Sequence, residues 1–244
     1  MRLEIAVQDV PGAHLAAAHG ATRIELCCAL QLGGLTPSQG LVKSVRNAEP
    51  DLPIHTLVRP RPGDYIYDGA AVALMVEEIK ALRDAGATGV VVGALTDADT
   101  IDYATLKTLI AAADGLHITF HRAVDHLKLP DAAAAVPRLA DLGVQRILSS
   151  GGAARASEGL AQLKAMHEAA QGRLQVMAGG GVDIADFASF HAAGLRDVHL
   201  SAKGVITQVL PSPITAAAQA EDHSYFATDA VLVQQAANAV RALS

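Results

Sequence analysis

Glu25, Arg59, His121, Arg122 and His199 stand at or just beyond the ends of short β-rich runs, far apart in the chain. A carboxylate beside imidazoles can move protons when burial brings a pKa toward neutrality, and arginines can hold an anion. Glu4 offers a second carboxylate to share acid and base roles with Glu25. His121, His199 and Glu25 also offer two imidazoles and a carboxylate, a donor set suited to zinc or iron. For each of these residues the plainer alternative is a structural hydrogen bond or ion pair. Burial of Glu25 requires a partner, expected from Arg59, Arg61 or Arg122. His117 and His121 share a strand face but lie about 13 Å apart at roughly 3.3 Å per residue, too far to share an ion.

Glycine-rich segments extend the candidate site. Ser149 to Gly152 and Gly179 to Gly181 end two further β-rich runs, where backbone N–H groups can cradle an anion. Ser149, Gly151, Gly152, Gly179 and Gly180 are therefore candidate ligand-binding residues, joined by Arg61, Asp64, Asp125 and Ser201. Tight turns alone would also explain the glycines. Tyr65 and Tyr67, in a chain with 3% aromatic residues and no tryptophan, either close over a ligand or pin their loop. Cys27 could act as a nucleophile if His121 or His199 served as its base and Arg59 favoured its thiolate; a buried, inert thiol is the commoner state.

A scaffold has to gather these residues. Eight β-rich runs recur, at Leu3 to Val7, Arg23 to Cys27, Ile54 to Val58, Gly89 to Gly93, Leu116 to His121, Arg146 to Ser149, Leu174 to Met177 and Val198 to Ser201. Ala-rich segments with helical periodicity, such as Ala70 to Ala85 and Asp131 to Leu142, separate most of them. Strand and helix in alternation force parallel pairing, and the polar strand ends favour a (β/α)₈ TIM barrel over a doubly wound sheet. The same device, a glycine followed at once by a strand, recurs at Gly20, Gly86, Gly143 and Gly194. No Gly-x-Gly-x-x-Gly motif follows the first strand, so no nucleotide cofactor is expected. Parity turns Glu4, Ala6, Arg23, Glu25, Cys27, Thr119, His121, His199 and Ser201 inward. Residues 32 to 40 and 59 to 67 read as site loops, and Ala202 to Thr228 as an irregular segment before a last helix from Asp229 to Leu243.

Length and composition agree. The 244 residues suit one barrel domain spanning the whole chain, and 51% hydrophobic against 18% charged residues supplies a large core. A formal charge of −6 with scattered basic residues argues against nucleic acid, and no apolar run suggests a membrane span or a secretory leader. Two adjacent cysteines, Cys27 and Cys28, fit a reducing, cytoplasmic setting.

The motifs RIELC at Arg23 to Cys27, GGLTPS at Gly33 to Ser38, RPR with GD at Arg59 to Asp64 and TFHRA with Asp125 resemble the CutC family of copper homeostasis proteins. RILSSGG at Arg146 to Gly152, MAGGGV at Met177 to Val182 and VH with SA at Val198 to Ala202 continue the resemblance in order, over roughly residues 3 to 203. The resemblance implies a β/α barrel, a cytoplasmic location, homo-oligomers (dimer or tetramer), and a role in copper homeostasis with copper binding. It brings no established reaction. Its copper proposal rests on inward cysteines near the ends of the first two strands; here Cys27 is one and Ala6 stands in place of the other. Pro62 and His126 also depart from the family's usual Gly and Met. Two readings follow: a copper-binding protein using Cys27, or an enzyme acting on a small anionic metabolite such as a phosphorylated sugar or keto acid.

Overall fold

In β1 (Arg2–Val7), Leu3, Ile5 and Val7 alternate with Glu4 and Ala6, so the strand presents an apolar face and a different one opposite it. The same alternation runs through β2 (Arg23–Leu26), β3 (Ile54–Leu57), β4 (Gly89–Val92), β5 (His117–Phe120), β6 (Arg146–Ser149), β7 (Gln175–Ala178) and β8 (Asp197–Leu200). The computed structural model describes residues 1–128, 131–207 and 224–243. In it these eight strands are parallel and close into a barrel, β8 pairing with β1. The expected (β/α)₈ architecture is the one observed.

Helices α1 (Val10–His19), α2 (Gln39–Ala48), α3 (Gly69–Asp84), α4 (Tyr103–Ala113), α5 (Asp131–Asp141), α6 (Leu160–Ala170), α7 (Phe187–Ala192) and α8 (Ala230–Ala242) surround it. Their starts are set by short polar side chains. Asp9, Ser38, Asp68, Asp102 and Asp229 each accept from first-turn N–H groups that have no partner within the helix. Several end as the sequence predicts: Gly20, Gly86, Gly143 and Gly194 adopt φ between 91° and 104°, which reverses the chain into the next strand.

Two buried layers result. Outward strand residues such as Leu3, Ile5, Ile24, Val90, Val92, Ile147 and Val176 pack with the helices in the main apolar core. The barrel interior is polar: Glu4, Arg23, Glu25, His55, Thr119, His121, Arg146 and Asp197 are all buried there. Parity therefore sorts the strands as expected, including Ala6, Cys27 and Thr119 inside.

The segment after β8 is a correction. Rather than irregular chain from Ala202 to Thr228, its two ends form an antiparallel ribbon of β9 (Lys203–Thr207) and β10 (Ser224–Thr228). The β-branched and aromatic residues Val205, Ile206, Tyr225 and Phe226, paired across the two strands, suit such a ribbon. The rest of that expectation, residues 208–223, lies outside the described residues. No helix among the described residues is long and apolar enough to cross a membrane.

Candidate active site at the barrel mouth

A chain of charged side chains runs up the barrel interior. At its lower end the Arg2 guanidinium, 42% exposed, meets Asp197 at 2.6 Å, and Arg23 donates to the other Asp197 oxygen at 2.9 Å. Arg23 also donates through Nε to Glu4. Glu4 in turn receives His199 Nδ1 at 2.8 Å, and His199 Nε2 lies 3.8 Å from Glu25. Arg146 supports the network from β6, with Nε 3.7 Å from Asp197 and a hydrogen bond donated to Gln175 at 3.0 Å. Carboxylates and guanidiniums alternate, which is what allows so many ionisable groups to be buried at once.

Position along this chain sets proton affinity. Burial works against the Glu4 carboxylate, yet Arg23 and His199 outweigh it and hold Glu4 well below the usual carboxylate range. Among the described residues Glu25 has no guanidinium partner. Burial pushes its carboxyl up to about 7, partly opposed by His199 and reinforced by the negative charge of Glu4. His199 is disfavoured as a cation by burial, but the two flanking carboxylates raise its pKa above the ordinary value. Glu25 and His199 thus compete for a proton near neutral pH.

Above them opens a cavity of about 360 Å³ at the C-terminal ends of the strands. Glu25, Arg59, His121, Arg122, His199 and Ser201 all line it, as does Gly180. The structure brings these sequence-predicted residues together at one cavity. Their partners differ from expectation. Glu25 meets His199, not an arginine, because closure of the barrel sets β8 beside β1 and carries His199 between the two glutamates. Arg59 donates to the carbonyls of Leu32, Gly34 and Gly63, each at 3.1 Å, and so holds the two site loops together. Arg61 points outward and pairs with Asp64 at 2.6 Å, and neither lines the cavity.

The segment after β6 is engaged internally. One carboxylate, Asp125, accepts from Ser149 Oγ at 2.5 Å, from the Ser150 amide at 3.0 and 3.1 Å, and from the Gly152 amide at 3.3 Å. Gly151 donates to Ser149 Oγ at 2.8 Å and packs directly on the backbone of Gly159. The expected anion cradle at Ser149, Gly151 and Gly152 is therefore filled by the protein's own side chain. Gly179 packs against Leu148, its amide bonded to the Ser149 carbonyl at 2.9 Å. The amides of Gly180, Gly181 and Val182 find no backbone acceptor among the described residues. Arg122 spans the gap, bound to Asp125 at 2.9 Å with its side chain 43% exposed, and a methyl group at Gly180 would lie 2.8 Å from its Cζ.

His121 is buried and neutral: burial, then the charge of Arg59, lowers its pKa to about 3. Its Nδ1 accepts the Ala123 amide at 3.1 Å, while its Nε2 is buried with no partner among the described residues. An unpaired buried polar group of this kind costs about 1–3 kcal/mol. Tyr65 lies against the imidazole, ring centroids 4.7 Å apart, and Arg59 stands 5.2 Å from the Tyr65 ring centre. Tyr65 is thus part of the mouth. Tyr67 is not among its lining residues.

Among the described residues, the cluster able to surround an ion is Glu4, Glu25 and His199, without His121. Its oxygen and imidazole donors suit hard or borderline ions, and Glu4 is already committed to Arg23 and His199. Cys27 does not supplement it. Its side chain packs with Leu57, Val91 and Leu30, its thiol faces the Val7 carbonyl at 3.7 Å, and burial followed by the Glu25 charge raises its pKa well above the usual thiol range. Ala6 provides no second sulfur. The arrangement does not fit Cu(I), which favours two or three soft ligands.

Sequence reasoning missed Lys203 and Val182 at the cavity and the supporting roles of His55, Arg146 and Asp197. Parity in β3, β6 and β8 was the available signal for the last three.

Fold and mouth together define a (β/α)₈ barrel with a buried carboxylate–imidazole–carboxylate unit opening into a cavity at the strand C-termini. The CutC family model matches residues 1–204, and the chain belongs to that family. A family protein CutC from Salmonella schwarzengrund is 40% identical over 243 residues, 96% of this chain and 94% of the relative. Another from Pasteurella multocida is 37% identical over 212 residues, 86% of each chain. A crystal structure from Streptococcus agalactiae, provisionally named copper homeostasis protein CutC, superposes with a TM-score of 0.77 at 27% identity, covering 82% of this chain and 98% of that one.

Proposed function

We propose that the barrel mouth binds a small anionic metabolite and moves a proton on it, with Glu25 as the acid–base group. The observation that carries this reading is the Glu25 carboxyl, lining the cavity with its pKa pushed up to about 7 and His199 beside it. A general acid–base group works best when its pKa lies near the working pH. Glu4, fixed by Arg23, orients His199. Arg122 and the amides after β7 supply positive potential at the place where barrels of this type commonly hold phosphate. The substrate class that fits is a phosphorylated sugar or keto acid.

The test is a thermal-shift screen of such anions, followed by substrate C–H exchange in D₂O. A ligand should raise the melting temperature through mass action, Arg122→Ala should weaken it, and Glu25→Gln should retain binding while losing exchange. If no anion stabilises the protein and both variants behave as wild type, the reading fails.

Copper homeostasis is the second reading, favoured by the name given to the streptococcal relative and by the family resemblance. Copper would then be cargo, with Cys27 its soft ligand. Tight Cu(I) binding under reducing conditions that disappears in Cys27→Ser supports it; affinity unchanged in that variant removes it. Both readings place one barrel domain spanning residues 1–244, acting as a homo-oligomer, in the cytoplasm.

A further inference from the structure

Among the described residues lining the mouth, His121 holds a buried ring nitrogen without a hydrogen-bond partner. We propose that His121 serves as a neutral hydrogen-bond donor, its proton fixed on Nε2, to a substrate carbonyl oxygen that becomes an enolate. This role rests on the proton-transfer reading of the mouth and names its substrate class, an aldehyde or ketone bearing a carboxylate or phosphate.

The tautomer follows from one contact. A backbone amide can only donate, and the Ala123 N–H points at Nδ1 from 3.1 Å, so Nδ1 must present its lone pair. The proton of the neutral ring then sits on Nε2. An imidazolium would set two N–H groups against each other at Nδ1, in a buried site that already holds Arg59. His121 caps the 3₁₀ turn Arg122–His126, and this turn fixes the Ala123 amide in place. The ring itself is confined by Gly93 on one side, where a side chain would collide with it, and by Tyr65 at 4.7 Å.

Nε2 therefore holds an N–H with no acceptor among the described residues, on a side chain that lines the same cavity as Glu25. The atom is closed to solvent, and a ligand oxygen seated against it would supply the missing acceptor. A donor on one side and a base on the other suit one step. The α C–H bond breaks, its proton passes to the Glu25 carboxylate, and the bonding pair moves into the carbonyl to leave an enolate oxygen at Nε2–H. Return of the proton to carbon restores both groups, so no oxidant or second substrate is required. A neutral imidazole is the better donor here, since its acidity lies closer to that of an enol than an imidazolium's does.

Two measurements on the full chain test this. Nitrogen-15 NMR of histidine-labelled protein should show His121 protonated on Nε2 and bare on Nδ1 throughout pH 5 to 8; a proton on Nδ1, alone or as imidazolium, overturns the proposal. Phosphoglycolohydroxamate, a stable mimic of an enediolate, should bind the wild type and lose at least tenfold in affinity in His121→Ala, with His121→Asn recovering part through its amide N–H. Wild-type binding that His121→Ala leaves unchanged overturns the role of His121 but spares the mouth. Absence of wild-type binding to this probe, with Glu25→Gln indifferent to every screened anion, overturns the underlying reading and this role with it.

Discussion

At the residue scale the decisive contrast is between histidines. His199 sits between two carboxylates and is pushed toward the cation, whereas His55, His117 and His121 are held neutral, with pKa values lowered to about 4, 3 and 3, chiefly by burial. A histidine depressed in the folded state contributes stability that is complete above its unfolded value of 6.5 and is lost as pH falls toward the folded value. Between pH 6.5 and about 4 each such group should therefore remove up to about 1.4 kcal/mol per pH unit. Urea denaturation across this range should show the loss, and His55→Gln should flatten the slope; an unchanged slope would mean that His55 is charged in the native state. These environments could not be read from the sequence. Parity placed His121 and His199 correctly inside, but their opposite protonation states depend on which neighbours closure of the barrel brings to them.

At the scale of elements, β4 shows how a strand makes room for chemistry on its neighbours. Gly89 opens the strand and Gly93 directly follows its last residue; four residues apart, both face inward. A methyl group at Gly89 would lie 2.7 Å from the His55 ring, and one at Gly93 would overlap His121. Gly93→Ala should displace the imidazole from the Ala123 amide and cost about 1–3 kcal/mol through overpacking. Thermal melts and the His121 ring-nitrogen shifts would reveal it; an alanine variant with unaltered shifts would contradict the packing. The paired glycines were visible in GVVVG but read as part of a strand, because their meaning depends on imidazoles contributed by β3 and β5. Similarly, the glycines after β6 looked like an anion cradle, and no local pattern pointed to Asp125, 24 residues before Ser149 in the chain, as the group that fills it.

At the scale of the whole molecule, the chain of charges from Arg2 to Glu25 ties the floor of the barrel to its mouth. Eight strands, their alternation and the turn glycines were legible because local patterns specify them. The network was not, since it is assembled from β1, β2, β6 and β8 by the register of closure. Arg23 is its central cation, shared by Glu4 and Asp197. Arg23→Met should destabilise the fold by about 3–5 kcal/mol by leaving buried carboxylates uncompensated. It should also raise the Glu4 pKa, with equilibrium unfolding measuring the first effect; a loss below 1 kcal/mol would show that the network relaxes around the gap. The mouth owes its acid–base character to burial assembled from distant stretches of chain rather than to any one motif.

The most direct measurement is the carboxyl titration of Glu25 by carbon-13 NMR, assigned with Glu25→Gln. A midpoint near 7, moving when His199 is replaced by Gln, is the predicted result. A midpoint at the ordinary 4.5, unaffected by that replacement, would contradict the assignment of Glu25 as the proton-transfer group.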